Sequence, residues 1–172
     1  MKIYTLMENT AVEPRFCCEH GLSLYMETKR HKILFDTGAG PGFAANAQLL
    51  GVALAAVDIA VISHGHSDHG GGLAKFLEIN KTAPVYISRH GFDRYFAGDG
   101  REIGLPRELL NSGRFVLTDD FLQLDEELEL CSCNGRQRPF YMDAFGLEML
   151  RGGERLPDDF RHEQYLLSLI HI

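Results

Sequence analysis

Ser63-His64-Gly65-His66-Ser67-Asp68-His69-Gly70-Gly71-Gly72 places three of the chain's eight histidines within six residues. Imidazoles and a carboxylate gathered this tightly bring no packing benefit and repel one another once like-charged, so a bound cation is the natural reason to collect them. A lone histidine is more often a surface or satisfied core residue, but four ligand-type residues in one six-residue window point to a metal site. Residues at i and i+2 of an extended turn can face one side while the Asp and His just after them turn toward a neighbouring position. On this reading His64 and His66 hold one ion, and Asp68 and His69 help hold a second. Two ions roughly 3.5–4 Å apart sharing a hydroxide are a standard device for hydrolysis of carbonyl or phosphoryl esters.

The flanks agree with that reading. Val57-Asp58-Ile59-Ala60-Val61-Ile62 is a short, mostly β-branched apolar run suited to a strand buried on both faces, and it ends where the ligands begin. Gly70, Gly71 and Gly72 carry no Cβ, so a sharp bend with space for a substrate is expected there, followed by a helix from Leu73. Upstream, Lys2 to Met7, Leu22 to Glu27 and Lys32 to Phe35 read as strands, with Lys29-Arg30-His31 at a hairpin. The third strand runs into Asp36-Thr37-Gly38, which exposes the Asp36 carboxylate at a strand tip; an Asp in such a turn also commonly just bonds its own backbone. Phe43 to Leu50 reads as a helix stopped by Gly51, and Pro84 to Ser88 as a further strand, so an α/β layered sheet is implied.

Beyond Gly91 the pattern weakens. Phe92, Tyr95 and Phe96 are read as surface-packing aromatics of a loop or short helix, with a substrate-covering role as the alternative. Phe115 to Leu117 and Leu128 to Cys131 read as strands of a second sheet separated by a solvated acidic turn, Asp119 to Glu127. The basic residues of Arg136 to Arg138 and Arg151 to Arg155 read as exposed loop, with a phosphate clamp as the alternative.

Bulk properties narrow the function classes. A chain of 172 residues, 45% hydrophobic, is expected to form a single domain over 1–172. A formal charge of −7 offers no broad basic surface, so nucleic-acid binding is not expected and a small-molecule substrate is. The N-terminus has too short an apolar stretch for a signal peptide and no window reaches membrane-spanning length, so the expected location is cytoplasmic, without a membrane partner. Cys17-Cys18 and Cys131-x-Cys133 lack the Cys-x-x-Cys spacing of a zinc ribbon or redox centre and are read as reduced structural thiols.

Leu34-Phe35-Asp36-Thr37-Gly38 and the Ser63–Gly72 run, in that order, resemble the metallo-β-lactamase fold superfamily. More narrowly, Glu8-Asn9-Thr10, Glu19-His20-Gly21-Leu22-Ser23-Leu24 and Asp158-Asp159-Phe160-Arg161-His162-Glu163-Gln164 resemble the branch described as dihydropterin-related phosphate synthases or beta-lactamase superfamily II metal-dependent hydrolases. The resemblance implies a four-layer αβ/βα sandwich with metals at one edge of two facing sheets. It implies His64 and His66 as ligands of a first metal, Asp68 and His69 of a second, and Asp36 as a carboxylate that orients a ligand imidazole. Asn9, His20 and His162 belong to the branch motifs and either line the substrate pocket or fix turns.

The family pattern continues to a third first-site His, a bridging Asp and a final second-site His that have no counterpart here, and the flanks of His171 do not match those motifs. The chain is therefore expected to be a domain incomplete at its C-terminus, with weakened metal sites, an unpaired sheet edge and self-association through exposed sheet surface. The expected activity is metal-dependent hydrolysis of a small ester or phosphoester by a dinuclear-metal-bound hydroxide. The cofactor is two zinc ions, with manganese or iron also compatible, and Asp68 and Asp36 are the catalytic carboxylates. The alternatives are pterin-related phosphate synthase chemistry and a catalytically inactive truncated domain.

Overall fold

Short β-branched and aromatic runs separated by Gly, Asn and Asp become strands, and the longer runs of helix formers between them become the crossovers. In chain order the strands are β1 (Lys2–Met7), β2 (Ser23–Glu27), β3 (Lys32–Phe35), β4 (Ile59–Val61), β5 (Val85–Ser88), β6 (Tyr95–Phe96), β7 (Phe115–Thr118), β8 (Phe121–Gln123), β9 (Leu128–Cys131), β10 (Glu148–Arg151), β11 (Glu154–Pro157) and β12 (Tyr165–Ser168). The helices are α1 (Gly42–Leu49), α2 (Ser67–Gly70) and α3 (Leu73–Ile79). This is a computed structural model, and it describes residues 1–132, 134 and 143–169.

Strands β1 to β3 form an antiparallel meander, and β4, β5 and β7 then add in parallel to give a six-stranded sheet ordered β1-β2-β3-β4-β5-β7. The switch from hairpins to parallel pairing coincides with α1 and α3, because parallel neighbours need a crossover. A second sheet, β12-β9-β8, faces the first, and β11-β10-β6 forms a small third sheet.

Side-chain alternation builds the layers. On β3 and β4, Leu34, Ala60 and the following Ile62 point into one core with Phe43 of α1 and Leu73 and Phe76 of α3. Ile33, Ile59 and Val61 point the other way, against Leu128 and Leu130 of β9. β4 is thus buried on both faces, as its apolar run predicts. In the second sheet Leu122 and Leu166 pack inward, while Phe121, Tyr165 and Leu167 are exposed. Among the described residues no helix covers that outer face, and no helix is long and apolar enough to cross a membrane. A polar latch also joins the sheets: His31 Nε2 lies 2.6 Å from Asp125 Oδ2, and Thr28 Oγ1 donates to Glu127 Oε2 at 2.9 Å.

Several sequence expectations need correction. Phe115–Thr118 does not join the second sheet; it pairs in parallel with β5 at the edge of the first. The acidic stretch after it is not only a turn, since β8 lies inside it. Phe92, Tyr95 and Phe96 are buried rather than surface aromatics. Arg151 and Arg155 hold Asp159 and Glu148 at 2.7 and 3.3 Å, so these guanidiniums are already matched by carboxylates. Cys17 and Cys18 are exposed free thiols and Cys131 is partly buried. Cys133, Arg136 to Arg138 and His171 lie outside the described residues.

Candidate metal centre

The site forms at the carboxyl ends of β3 and β4, two parallel neighbours in the middle of the sheet. Asp36 follows β3 with φ of 60°, in the left-handed region that Asp tolerates better than most side chains. Its wholly buried carboxylate accepts hydrogen bonds from Ser63 N at 2.7 Å, Ser63 Oγ at 2.7 Å and His69 Nδ1 at 2.7 Å. After Ser63 the chain forms a helical turn, α2, where a loop is expected from sequence; His69 N and Gly70 N both donate to His66 O. This turn presents Asp68 and His69 consecutively. The glycines after it do not leave space for a substrate: a Cβ on Gly71 would collide with Ala39 O and Ser67 O, so the residue is small because the backbone of 37–40 lies against α2.

The hydrogen bonds around Ser63 and Asp36 fix which ring nitrogens remain free. Ser63 Oγ has one proton; the Asp36 carboxylate is the stronger acceptor, so Oγ accepts from His64 Nδ1 at 2.9 Å. His64 then carries its lone pair on Nε2. Likewise His69 donates Nδ1–H to Asp36 and carries its lone pair on Nε2, 3.6 Å from Asp68 Oδ2. One ligand atom from each of His64, Asp68 and His69 fits within a 4.8 Å group. Burial, followed by the neighbouring imidazoles of His69, His66 and His162, pushes the His64 pKa down to about 2, so this ring is neutral. Burial also opposes a charge on His69, but the bond and charge of Asp36, with Asp68, outweigh it and raise its pKa, so the lone pair on His69 Nε2 belongs to the neutral ring and a cation there would displace a proton.

The grouping differs from the sequence expectation in its partition. His64 clusters with Asp68 and His69, while His66 Nε2 faces Asp158 Oδ2 at 3.0 Å, and His162 Nε2 lies 3.2 Å from the same oxygen. Burial alone would raise the Asp158 pKa; hydrogen bonds with His162 and His66 instead hold it well below the usual carboxylate range. His162 is wholly buried, so it does not line an opening. Asp158 and Gln164 were legible only as members of a branch motif, because nothing in their spacing announces a contact with residues about 90 to 100 positions upstream.

Two other expected residues do reach the mouth of the site. His20, largely exposed, places Nε2 3.5 Å from Asp68 Oδ2, and its Nδ1 lies 3.2 Å from Asn9 Oδ1. Gly21 lets this segment approach, since a Cβ there would meet Asp68 O.

Comparison with known proteins agrees with this architecture. A crystal structure of Tm1679, a metal-dependent hydrolase of the beta-lactamase superfamily, superposes with a TM-score of 0.75 at 27% identity, covering 96% of this chain and 60% of that one. Two proteins of Methanocaldococcus jannaschii are similar in sequence. The uncharacterized protein MJ0448 is 26% identical over 171 residues, covering 96% of this chain and 65% of its own length. The protein named 7,8-dihydropterin-6-methyl-4-(beta-D-ribofuranosyl)-aminobenzene-5'-phosphate synthase is 36% identical over 139 residues, covering 72% of this chain and 47% of its own length. The chain thus spans less than two thirds of each of these relatives. A family model for the metallo-beta-lactamase superfamily matches residues 18–133, a span that contains both Asp36 and the whole His64–His69 cluster. Because that match covers more than half of the chain, the chain belongs to the metallo-beta-lactamase superfamily.

Proposed function

We propose that the chain is a metal-dependent hydrolase acting on a small ester or phosphoester through a metal-bound hydroxide, with two zinc ions, or manganese or iron, as cofactor. The observation that carries this reading is the convergence of His64, Asp68 and His69 with both imidazoles held in the tautomer that leaves Nε2 unprotonated. Two neutral imidazole nitrogens and a carboxylate oxygen suit a borderline divalent cation, so the donor set fits the group the family implies. When bound, such ions polarise a carbonyl or phosphoryl oxygen and acidify water.

The protein's own residues supply positioning and proton handling. Asp36 fixes the ring of His69 and, through Ser63, that of His64. Asp68, partly exposed beside His20, orients the attacking water and accepts its proton. His20, steadied by Asn9, stands at the mouth where it meets an anionic part of the substrate. His64→Ala and Asp68→Ala should each abolish zinc-dependent hydrolysis of a panel of aryl esters and phosphodiesters. Activity that survives either change, or that is metal-independent, refutes the assignment.

A second reading, pterin-related phosphate synthase chemistry, is favoured by the 36% identity to the protein bearing that name. The same purified chain offered a dihydropterin with a ribosyl phosphate, against the ester panel, separates the two. Turnover of neither, with metal bound, supports a catalytically inactive domain.

A further inference from the structure

We propose that Asp158 and His162 are a buried positioning pair that fixes the ring nitrogens of His66, so that the His66–Asp158–His162 group serves the metal site from behind and holds no ion itself. This rests on the metal reading above for what His66 is positioned to do.

The three side chains look like a ligand triad, since their donor atoms also fall within a 4.8 Å group. Their protons are committed to one another instead. The Gly65 N–H donates to His162 Nδ1 at 2.8 Å, which occupies that lone pair and puts the proton of the neutral ring on Nε2. Nε2 in turn faces both oxygens of Asp158, at 3.3 and 3.2 Å. Neither nitrogen of His162 is left for a cation unless the ring becomes an imidazolate or surrenders the Gly65 bond. Asp158 Oδ2 also accepts from His66 Nε2 at 3.0 Å, which leaves the His66 lone pair on Nδ1, where no hydrogen bond is made among the described residues. A carboxylate holding one ring nitrogen so that the other can ligate is the usual support of a metal histidine.

The pair is built into the fold. Asp158 and His162 are 2 and 0% exposed, too enclosed for an ion between them to exchange with solvent. Asp158 Oδ1 accepts from Phe160 N at 2.9 Å, and Phe160 is held at φ of 50°, a conformation a bulky side chain adopts only when its surroundings fix it. Gln164 ties the segment down: its amide donates to Ile62 O at 2.8 Å and Tyr86 O at 3.0 Å, and accepts from Thr118 Oγ1 at 2.6 Å. The Tyr95 ring covers His162 at 4.1 Å between centroids. Residues 158–164 therefore brace the ends of β4, β5 and β7 and the ligand turn together.

The test uses the full chain. Imidazole 15N–1H spectra of the metal-free protein should show both His66 and His162 as Nε2–H tautomers. Cobalt(II) titration should show His162→Gln within about threefold of the parent affinity, because Gln reproduces the acceptor and donor but ligates poorly. Asp158→Asn places an NH2 against a ring nitrogen and should weaken cobalt binding about 10–100-fold. A Nδ1–H proton on His66, the loss of one cobalt equivalent in folded His162→Gln, or an unchanged affinity in folded Asp158→Asn overturns the proposal. Should the parent bind no cobalt, the metal reading falls, and the tautomer spectra still decide the positioning pair; they also decide it if a variant does not fold.

Discussion

Replacing Asp36 by Asn isolates the charge that organises the site. Asn tolerates the left-handed φ of 60° and has the same shape, so backbone and packing are preserved. Its Oδ1 can still accept from Ser63 N, but Nδ2 now stands where Oδ2 received Ser63 Oγ and His69 Nδ1. The serine hydroxyl can rotate to accept; the His69 ring must move its proton to Nε2 and thereby lose the lone pair that faces Asp68. Losing one buried hydrogen bond to a charged group costs about 1.5–3 kcal/mol. Because the tautomer change acts on a proposed metal ligand, affinity for zinc or cobalt should also fall about 10–100-fold. Asp36→Ala, which strands three buried donors and places Ala at positive φ, should cost more, about 3–5 kcal/mol. Urea denaturation followed by circular dichroism, since the chain has no Trp, and cobalt titration give the two readouts. Asp36→Asn within about 0.5 kcal/mol of the parent, with metal affinity intact, would refute the reasoning.

The metal-free protein should lose stability as pH falls below about 6.5, the ordinary His value. His64, pushed down to about 2, and His162, lowered by burial, stay neutral in the fold while the unfolded chain takes up protons; the raised His31 and His69 offset this close to pH 6.5 but not once the unfolded histidines are protonated, and the raised Asp36 offsets at most one of the two at lower pH. The slope should approach about 1.4 kcal/mol per pH unit above the carboxylate range, and a flat profile there would contradict it. Gln164→Leu keeps the volume but leaves Ile62 O and Thr118 Oγ1 without these partners, while Tyr86 O keeps the bond from Ile62 N, so it should cost about 3 kcal/mol in urea; a change under about 1 kcal/mol would mean that the brace contributes little. Gly71→Ala meets backbone rather than a yielding side chain and should destabilise by about 3 kcal/mol or more, measured the same way, whereas a neutral outcome would show that the 37–40 segment can move away.

Local signals carried most of the first sheet. The β1, β2 and β3 runs, the α1 and α3 helix formers, and the double-faced apolar run of β4 each declare themselves within a few residues. The grouping of the His64–His69 window with Asp36 was legible for the same reason: these side chains share one turn and one strand tip. What stayed hidden depends on partners distant in sequence. β7 looks like any short apolar strand, and only its parallel docking on β5 assigns it to the first sheet. β8 is a short strand set in acidic residues, stabilised by β9 rather than by its own composition. Tyr95 looks like a surface aromatic until the imidazoles of His66 and His162 are folded against it. Asp158 is indistinguishable in sequence from its neighbour Asp159, which pairs with Arg151 and Arg161 near the surface.

A cation held by His64, Asp68 and His69 is what the chemistry proposed for this site requires. Cobalt(II) absorption spectra of the metal-stripped chain, titrated alongside His64→Ala and His69→Ala, test it most directly. Saturable ligand-field bands are expected for the parent chain and should be lost or strongly weakened in both variants. Absence of bands in the parent, or bands unaltered by removing either imidazole, would contradict it.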